Sequence, residues 1–199
     1  MIDNFRVEID SSVPAVQGDE FFVVHLDGER RTVNIHDYAG IYAVPGLYEH
    51  VLQLRLQSKS PQMMAASLGA RVALSKDAAT PVRCLDVGAG VGLSGAALSV
   101  EGLAPTVGMD IIPAAAEAAQ RDRPGLYERY VVGDLGKVDL APLIKTYRLN
   151  ALVSSAALTG GHIEPQVLAK TWAAFSPGDW LAFTCLDSRA DTALSLIHI

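Results

Sequence analysis

Hydrophobic and polar positions along this chain fall into two kinds of block: short apolar runs closed by turn residues, and longer stretches with apolar residues every third or fourth place. Residues 21 to 35, FFVVHLDGERRTVNI, give an apolar run, a turn at Asp27 and Gly28, and a second β-prone run. That is the pattern of a β-hairpin. From Gly46 to Gln57, Leu47, Val51 and Leu54 recur at helical spacing with Tyr48 and Leu52 alongside. A second helix is predicted after Ser60 and Pro61, an N-cap and first-turn pair, with Met64, Leu68 and Val72 on one stripe. The polar segment SKDAATP, residues 75 to 81, reads as a linker.

From Val82 onward the blocks alternate strictly. An apolar run ends at Asp86, and a helix continues through Ala96 to Val100. TVGMD then forms a second strand ending at Asp110. A helix from Pro113 to Gln120 stops at Pro124 and Gly125, and a third strand covers Tyr130 to Val132. A short helix over 141–147 precedes a fourth strand from about Ala151 to Ser155, and a helix from Pro165 to Phe175 leads through Ser176, Pro177 and Gly178 into a fifth strand, Trp180 to Leu186. This βαβα order predicts an α/β fold with a doubly wound, mostly parallel sheet. Residues 1–79 are expected to form an N-terminal extension of hairpin and helices, and 80–199 the main domain.

Composition narrows the function classes. Half of the 199 residues are hydrophobic and 19% are charged, enough for a sizeable core. A net charge of -6 excludes the clustered Lys and Arg of a nucleic-acid surface. Cys84 and Cys185 lie inside apolar runs and are expected to be inert core residues, neither metal ligands nor a disulfide. The N-terminus MIDNFRVEID lacks the basic and then apolar order of a secretory signal. No run approaches the roughly 18 apolar residues of a membrane span. A cytoplasmic protein with no membrane partner is expected.

The chemistry concentrates in VRCLDVGAGVGLSG, residues 82 to 95. Asp86 ends the apolar run, Gly88, Gly90 and Gly92 follow at alternate positions, and a helix opens at Ser94. Such a turn brings backbone amides against a nucleoside-bearing ligand. A dinucleotide fingerprint would need its third glycine at 93, where Leu93 stands. The stretch resembles instead the D/E-x-G-x-G-x-G motif of class I S-adenosylmethionine-dependent methyltransferases, with Asp86, Gly88, Gly90 and Gly92 at its fixed positions. Asp110 lies 18 residues beyond Gly92, near the roughly 20-residue interval at which an acid ends the second strand and takes ribose hydroxyls. An ionised carboxylate offers acceptors to both hydroxyls; the other reading is a strand-end acid capping the next helix.

The same resemblance implies further roles. Asp134 would accept from the adenine amino group while the Leu135 N–H donates to the ring, although Gly133–Asp134 also reads as an ordinary turn. Ala89 and Ile111, next to the first two motifs, and Ser154, at the end of the fourth strand, join the expected cofactor contacts. The residues from Ser154 to Leu158 would face the transferred methyl. No Asn-Pro-Pro-Tyr type signature is present there, which argues against a DNA adenine methylase. His162, in the loop after Gly160 and Gly161, could take a proton from a hydroxyl nucleophile or could simply face solvent. Tyr38, Tyr42 and Tyr48 either pack the extension or form an aromatic lid that places Tyr42 on the cofactor.

The methyltransferase fold has two strands after the fifth, the last of them antiparallel. Only ADTALSLIHI follows Arg189, so the last two strands are expected to be lacking and the outer edge of the fifth strand unpaired. LSLIHI also resembles one reading frame of a transposase-end adapter used in sequencing libraries. The function this reading implies is S-adenosylmethionine-dependent methylation of a small-molecule acceptor. Two alternatives remain open: an NAD(P)-dependent oxidoreductase, and a non-catalytic cofactor-binding module of the same fold.

Overall fold

Two apolar runs fold back on each other at Asp27 and Gly28, whose φ angles of 52° and 82° give the left-handed corner that suits a two-residue hairpin. The computed structural model describes residues 5–8, 21–75, 79–158, 163–186 and 194–198. They divide into two units, 1–58 and 59–199. In the first, strands β1 (Phe5–Glu8), β2 (Phe21–Leu26) and β3 (Glu29–Asn34) form an antiparallel sheet in that order. β1 has no counterpart in the hydrophobic pattern, because FRVE is four residues long and offers only two inward positions, Phe5 and Val7. Val7, Phe22 and Val24 bury one face of this sheet. Against them pack Ile41 of helix α1 (Tyr38–Ala43), Leu47 of α2 (Leu47–Glu49), and Val51.

α1 begins at Asp37, whose carboxylate accepts from the Gly40 N–H at 3.1 Å. After α2 the chain winds wider over His50–Arg55, and the Leu56 N–H reaches back five residues to the Val51 carbonyl. Each residue of such a turn rotates less than in an α-helix. Leu54, expected on one face with Leu47 and Val51, therefore points outward and is 66% exposed.

The second unit is a six-stranded sheet: β4 (Arg83–Val87), β5 (Ala104–Asp110), β6 (Arg129–Val132), β7 (Ala151–Ser154), β8 (Trp180–Leu186) and β9 (Leu194–His198), ordered β6-β5-β4-β7-β8-β9. The first five are mutually parallel. Helix α3 (Ser60–Ala73), expected in the extension, belongs here. Its Met64, Ala65 and Leu68 share a buried cluster with Leu98 of α4 (Leu93–Val100) and with Cys84, Val153 and Ala182 of the sheet. On the opposite face Leu85, Leu152 and Leu181 pack with Leu168 of α7 (Pro165–Trp172) and Ile144 of α6 (Ala141–Tyr147). Burial on both faces is why β7, and β4 apart from Arg83 and Asp86, read as apolar runs. Each large side chain so buried contributes about 1.5–3 kcal/mol.

The outer edge of β8 corrects one expectation. β9 pairs with it antiparallel from Ala182↔His198 to Leu186↔Leu194, so the edge is not left open. A five-residue strand suffices because the ladder satisfies backbone groups whatever the origin of the segment. Among the described residues no helix is long and apolar enough to cross a membrane. The sheet order reverses between β4 and β7, since the chain runs outward through β5 and β6 before returning. The carboxyl ends of β4 and β7 thus flank the position where open α/β sheets take ligands, and β5 lies next to β4.

Candidate functional site

β4 leaves the sheet through Gly88, Gly90 and Gly92, all with positive φ (71°, 51° and 89°). A side chain at Gly88 would also set its Cβ 2.5 Å from that of Ala157, so the loop cannot carry one there. The loop is tied to the end of β5. The Gly88 and Ala89 N–H groups both donate to the Met109 carbonyl, at 2.9 and 3.0 Å, and the Gly90 N–H donates to Asp110 Oδ2 at 2.9 Å.

Asp110 occupies the last position of β5 and is 9% exposed. Its other oxygen accepts from the Ile112 N–H at 3.0 Å, at the start of α5 (Pro113–Asp122). The acid secures the entry to a helix with one oxygen and anchors the glycine loop with the other. Ile111 beside it is 64% exposed, an apolar surface at the carboxyl end of the sheet.

Asp134 follows β6, and the Gly133 N–H donates to the Asp110 carbonyl at 2.9 Å, which joins the second and third motifs directly. Its carboxylate also closes its own turn, accepting from the Gly136 N–H at 2.9 Å and pairing with Lys137 Nζ at 3.0 Å. Lys137, and then the Gly136 amide, hold its pKa below the usual carboxylate value. The Leu135 side chain packs into the core, and its N–H takes no partner among the described residues.

Two expected contacts are placed otherwise. Asp86 is fully buried, so it presents no surface to a ligand. Its Oδ2 accepts from the Tyr127 hydroxyl at 2.6 Å, and the Gly95 N–H in the first turn of α4 faces the same carboxyl. Oδ1 has no partner within normal hydrogen-bond geometry. Burial pushes the pKa of Asp86 up to about 7, opposed by Tyr127 and assisted by the charge of Asp110. Ser154 is likewise buried and donates to the Val87 carbonyl at 3.0 Å, which ties β7 to β4. Neither lines the loop: Asp86 lies beneath it, and Ser154 joins two strands.

Beyond β7, Ser155 Oγ is buried without a partner among the described residues, and Ala156 has a left-handed φ of 61°. The Ala156 N–H donates to Thr184 Oγ1 at 2.8 Å. A strained residue and an unsatisfied hydroxyl at a strand's carboxyl end mark a place where a ligand could supply the missing bond. Tyr42 lies in the other unit, buried against Tyr48 and stacked on Tyr38, with ring centroids 5.0 and 6.0 Å away. His162 lies outside the described residues.

Sequence reasoning missed Tyr127 and Tyr130. The Tyr130 hydroxyl donates to the Gly90 carbonyl at 2.7 Å. The available signal was Gly108, a glycine inside an apolar strand, which commonly marks a close approach. A Cβ there would lie 3.0 Å from both tyrosine rings.

No protein-family model and no curated protein matches the chain. Solved structures do. Streptomyces venezuelae DesVI is 19% identical with a TM-score of 0.50, over 74% of this chain and 56% of that one. SAM-bound CalS10, an amino pentose methyltransferase from Micromonospora echinaspora involved in calicheamicin biosynthesis, is 21% identical with a TM-score of 0.51, over 68% and 55%. The plantazolicin methyltransferase BpumL in complex with SAH is 16% identical with a TM-score of 0.53, over 77% and 58%. The chain therefore spans a little over half the length of these proteins, and it shares with them the class I methyltransferase fold.

Proposed function

We propose that this chain binds S-adenosylmethionine at the carboxyl ends of β4, β5 and β6 and methylates a small-molecule acceptor in the cytoplasm. The observation that carries the reading is the chain of contacts from the Gly90 N–H to the Asp110 carboxylate, and from the Asp110 carbonyl to Gly133 beside Asp134. Three motifs far apart in sequence thereby adjoin at the carboxyl ends of three neighbouring strands. The group fits the donors present: Asp110 would accept from the ribose hydroxyls, and the exposed Ile111 would cover one adenine face. Asp134 and the free Leu135 N–H would pair with the adenine edge. The backbone from Gly88 to Gly90 would hold the amino-acid end. Bound S-adenosylmethionine supplies a methyl group made electrophilic by its sulfonium.

The protein's share is orientation, which can contribute on the order of 7 kcal/mol or more to such a transfer. Ser155, with its unpaired hydroxyl, is the described residue best suited to touch the acceptor or the donor. His162 is the proposed base if the nucleophile is a hydroxyl; an amine or thiolate needs none. The CalS10 and BpumL folds support a small acceptor, as does the chain's acidic balance.

Calorimetric titration with S-adenosylhomocysteine and with NADH tests the cofactor. Micromolar binding of the first alone is expected, whereas binding of NADH alone would transfer the reading to an oxidoreductase. Incubation with methyl-labelled cofactor and a metabolite extract then separates enzyme from binding module, since a binding module transfers no label.

A further inference from the structure

A loop with three left-handed glycines has no preferred shape of its own, so contacts from outside must select one. Besides Met109 and Asp110 at the end of β5, one segment supplies several of them, residues 123 to 130. Arg123 Nη1 donates to the Val91 carbonyl at 3.2 Å, and Leu126 packs so closely on Gly92 that a Cβ there would meet its Cδ2 at 2.8 Å. Tyr127 reaches Asp86, under the loop, and Tyr130 reaches the Gly90 carbonyl. The two rings cross above Gly108 edge to face, with centroids 5.6 Å apart and planes at 80°. Gly95 clears space for Tyr127, since a Cβ there would lie 2.5 Å from its hydroxyl.

Gly90 is consequently fixed on both sides. Its N–H is held by Asp110, at the end of β5, and its carbonyl by Tyr130. Neither peptide group can turn without breaking a bond to a neighbouring strand. Burial raises the pKa values of both phenols well above that of a free tyrosine, so they remain hydrogen-bond donors throughout the working pH range.

We propose that Tyr127 and Tyr130 are positioning residues that hold the Gly88–Gly92 loop in the shape that receives the adenosine-bearing ligand. This rests on the functional reading above only for the identity of that ligand. Tyr130 acts on Gly90 directly; Tyr127 acts through Asp86 and the first turn of α4.

The test uses the full chain carrying Tyr127→Phe or Tyr130→Phe, with amide hydrogen exchange and S-adenosylhomocysteine titration. In Tyr130→Phe, the Gly90 and Gly92 amides should exchange about tenfold faster while those of Leu85 and Val107 keep wild-type rates. The dissociation constant should rise about threefold to tenfold, the range of one lost hydrogen bond. Tyr127→Phe should act in the same direction. If loop exchange is unchanged, or if core amides accelerate equally, the positioning role is overturned; the latter marks a merely structural loss. Should Tyr127→Phe fail to fold, Tyr130→Phe decides alone, because its bond reaches only the loop. Faster loop exchange in a protein whose wild type binds no S-adenosylhomocysteine would keep the positioning role and overturn the methyl-donor reading.

Discussion

Replacing Asp86 by Asn should remove a pH dependence that is built into the core. The carboxyl is fully buried and titrates near 7 in the folded state against an ordinary value of 3.8. Its folded-state pKa is raised, so the folded protein holds this proton more tightly than the unfolded chain does. The stability it confers is complete below about pH 4, falls as pH rises, and is gone above about 7. A difference of roughly 3 pKa units corresponds to about 4 kcal/mol. Asn has the same shape without the titration: its oxygen can accept from the Gly95 N–H, and its amide can donate to the Tyr127 oxygen. Urea unfolding followed by tryptophan fluorescence suits the measurement, because both tryptophans, Trp172 and Trp180, belong to the α/β unit. The stability of wild type relative to Asp86→Asn should fall by about 4 kcal/mol between pH 4 and pH 8, a relative midpoint shift of about 2 M urea. An unchanging gap across that range would show that the carboxyl is not held protonated, and would refute the argument from burial.

Three further outcomes follow from the loop's geometry. Gly88→Ala, at φ 71° and with its new Cβ 2.5 Å from Ala157, should cost about 2–4 kcal/mol in chemical denaturation. Asp110→Ala should weaken S-adenosylhomocysteine binding at least about 100-fold by calorimetry, since it removes the proposed acceptor for the ribose together with the anchor of Gly90. Ser154→Ala should lower stability by about 1 kcal/mol, as the loss of its bond to Val87 predicts, and should leave affinity within about twofold in the same titration.

The inner strands of the α/β unit, β4, β5, β7 and β8, were legible because helices cover both of their faces, so that each reads as a largely apolar run closed by a turn. Their carboxyl-end acids were legible because the crossover places them at a regular interval. β1 was not, since its four residues alternate too briefly to register; nor was the wide turn at His50–Arg55, where apolar spacing cannot distinguish one helical winding from another. The tyrosine brace was hidden for a different reason. It depends on one lateral row of the sheet, Asp86↔Gly108↔Tyr130, and a row exists only once register is set. Sequence distance says nothing of it.

The same register explains why two acids that looked alike serve different ends. Asp86 lies one residue short of the end of β4, in the row below Val87↔Met109↔Val131, whereas Asp110 lies in the row above, opposite Val132. Two rows amount to about 7 Å along the strands. At that depth Asp86 is covered by the first turn of α4 and by Tyr127, and it stabilises the loop from beneath. Asp110, at the last position of β5, meets the loop from the side, and it is the acid to which the proposed function gives the ribose. The motif and the interval after it identify both acids, but an acid's distance from the strand end decides whether it lies beneath the glycine loop or beside it.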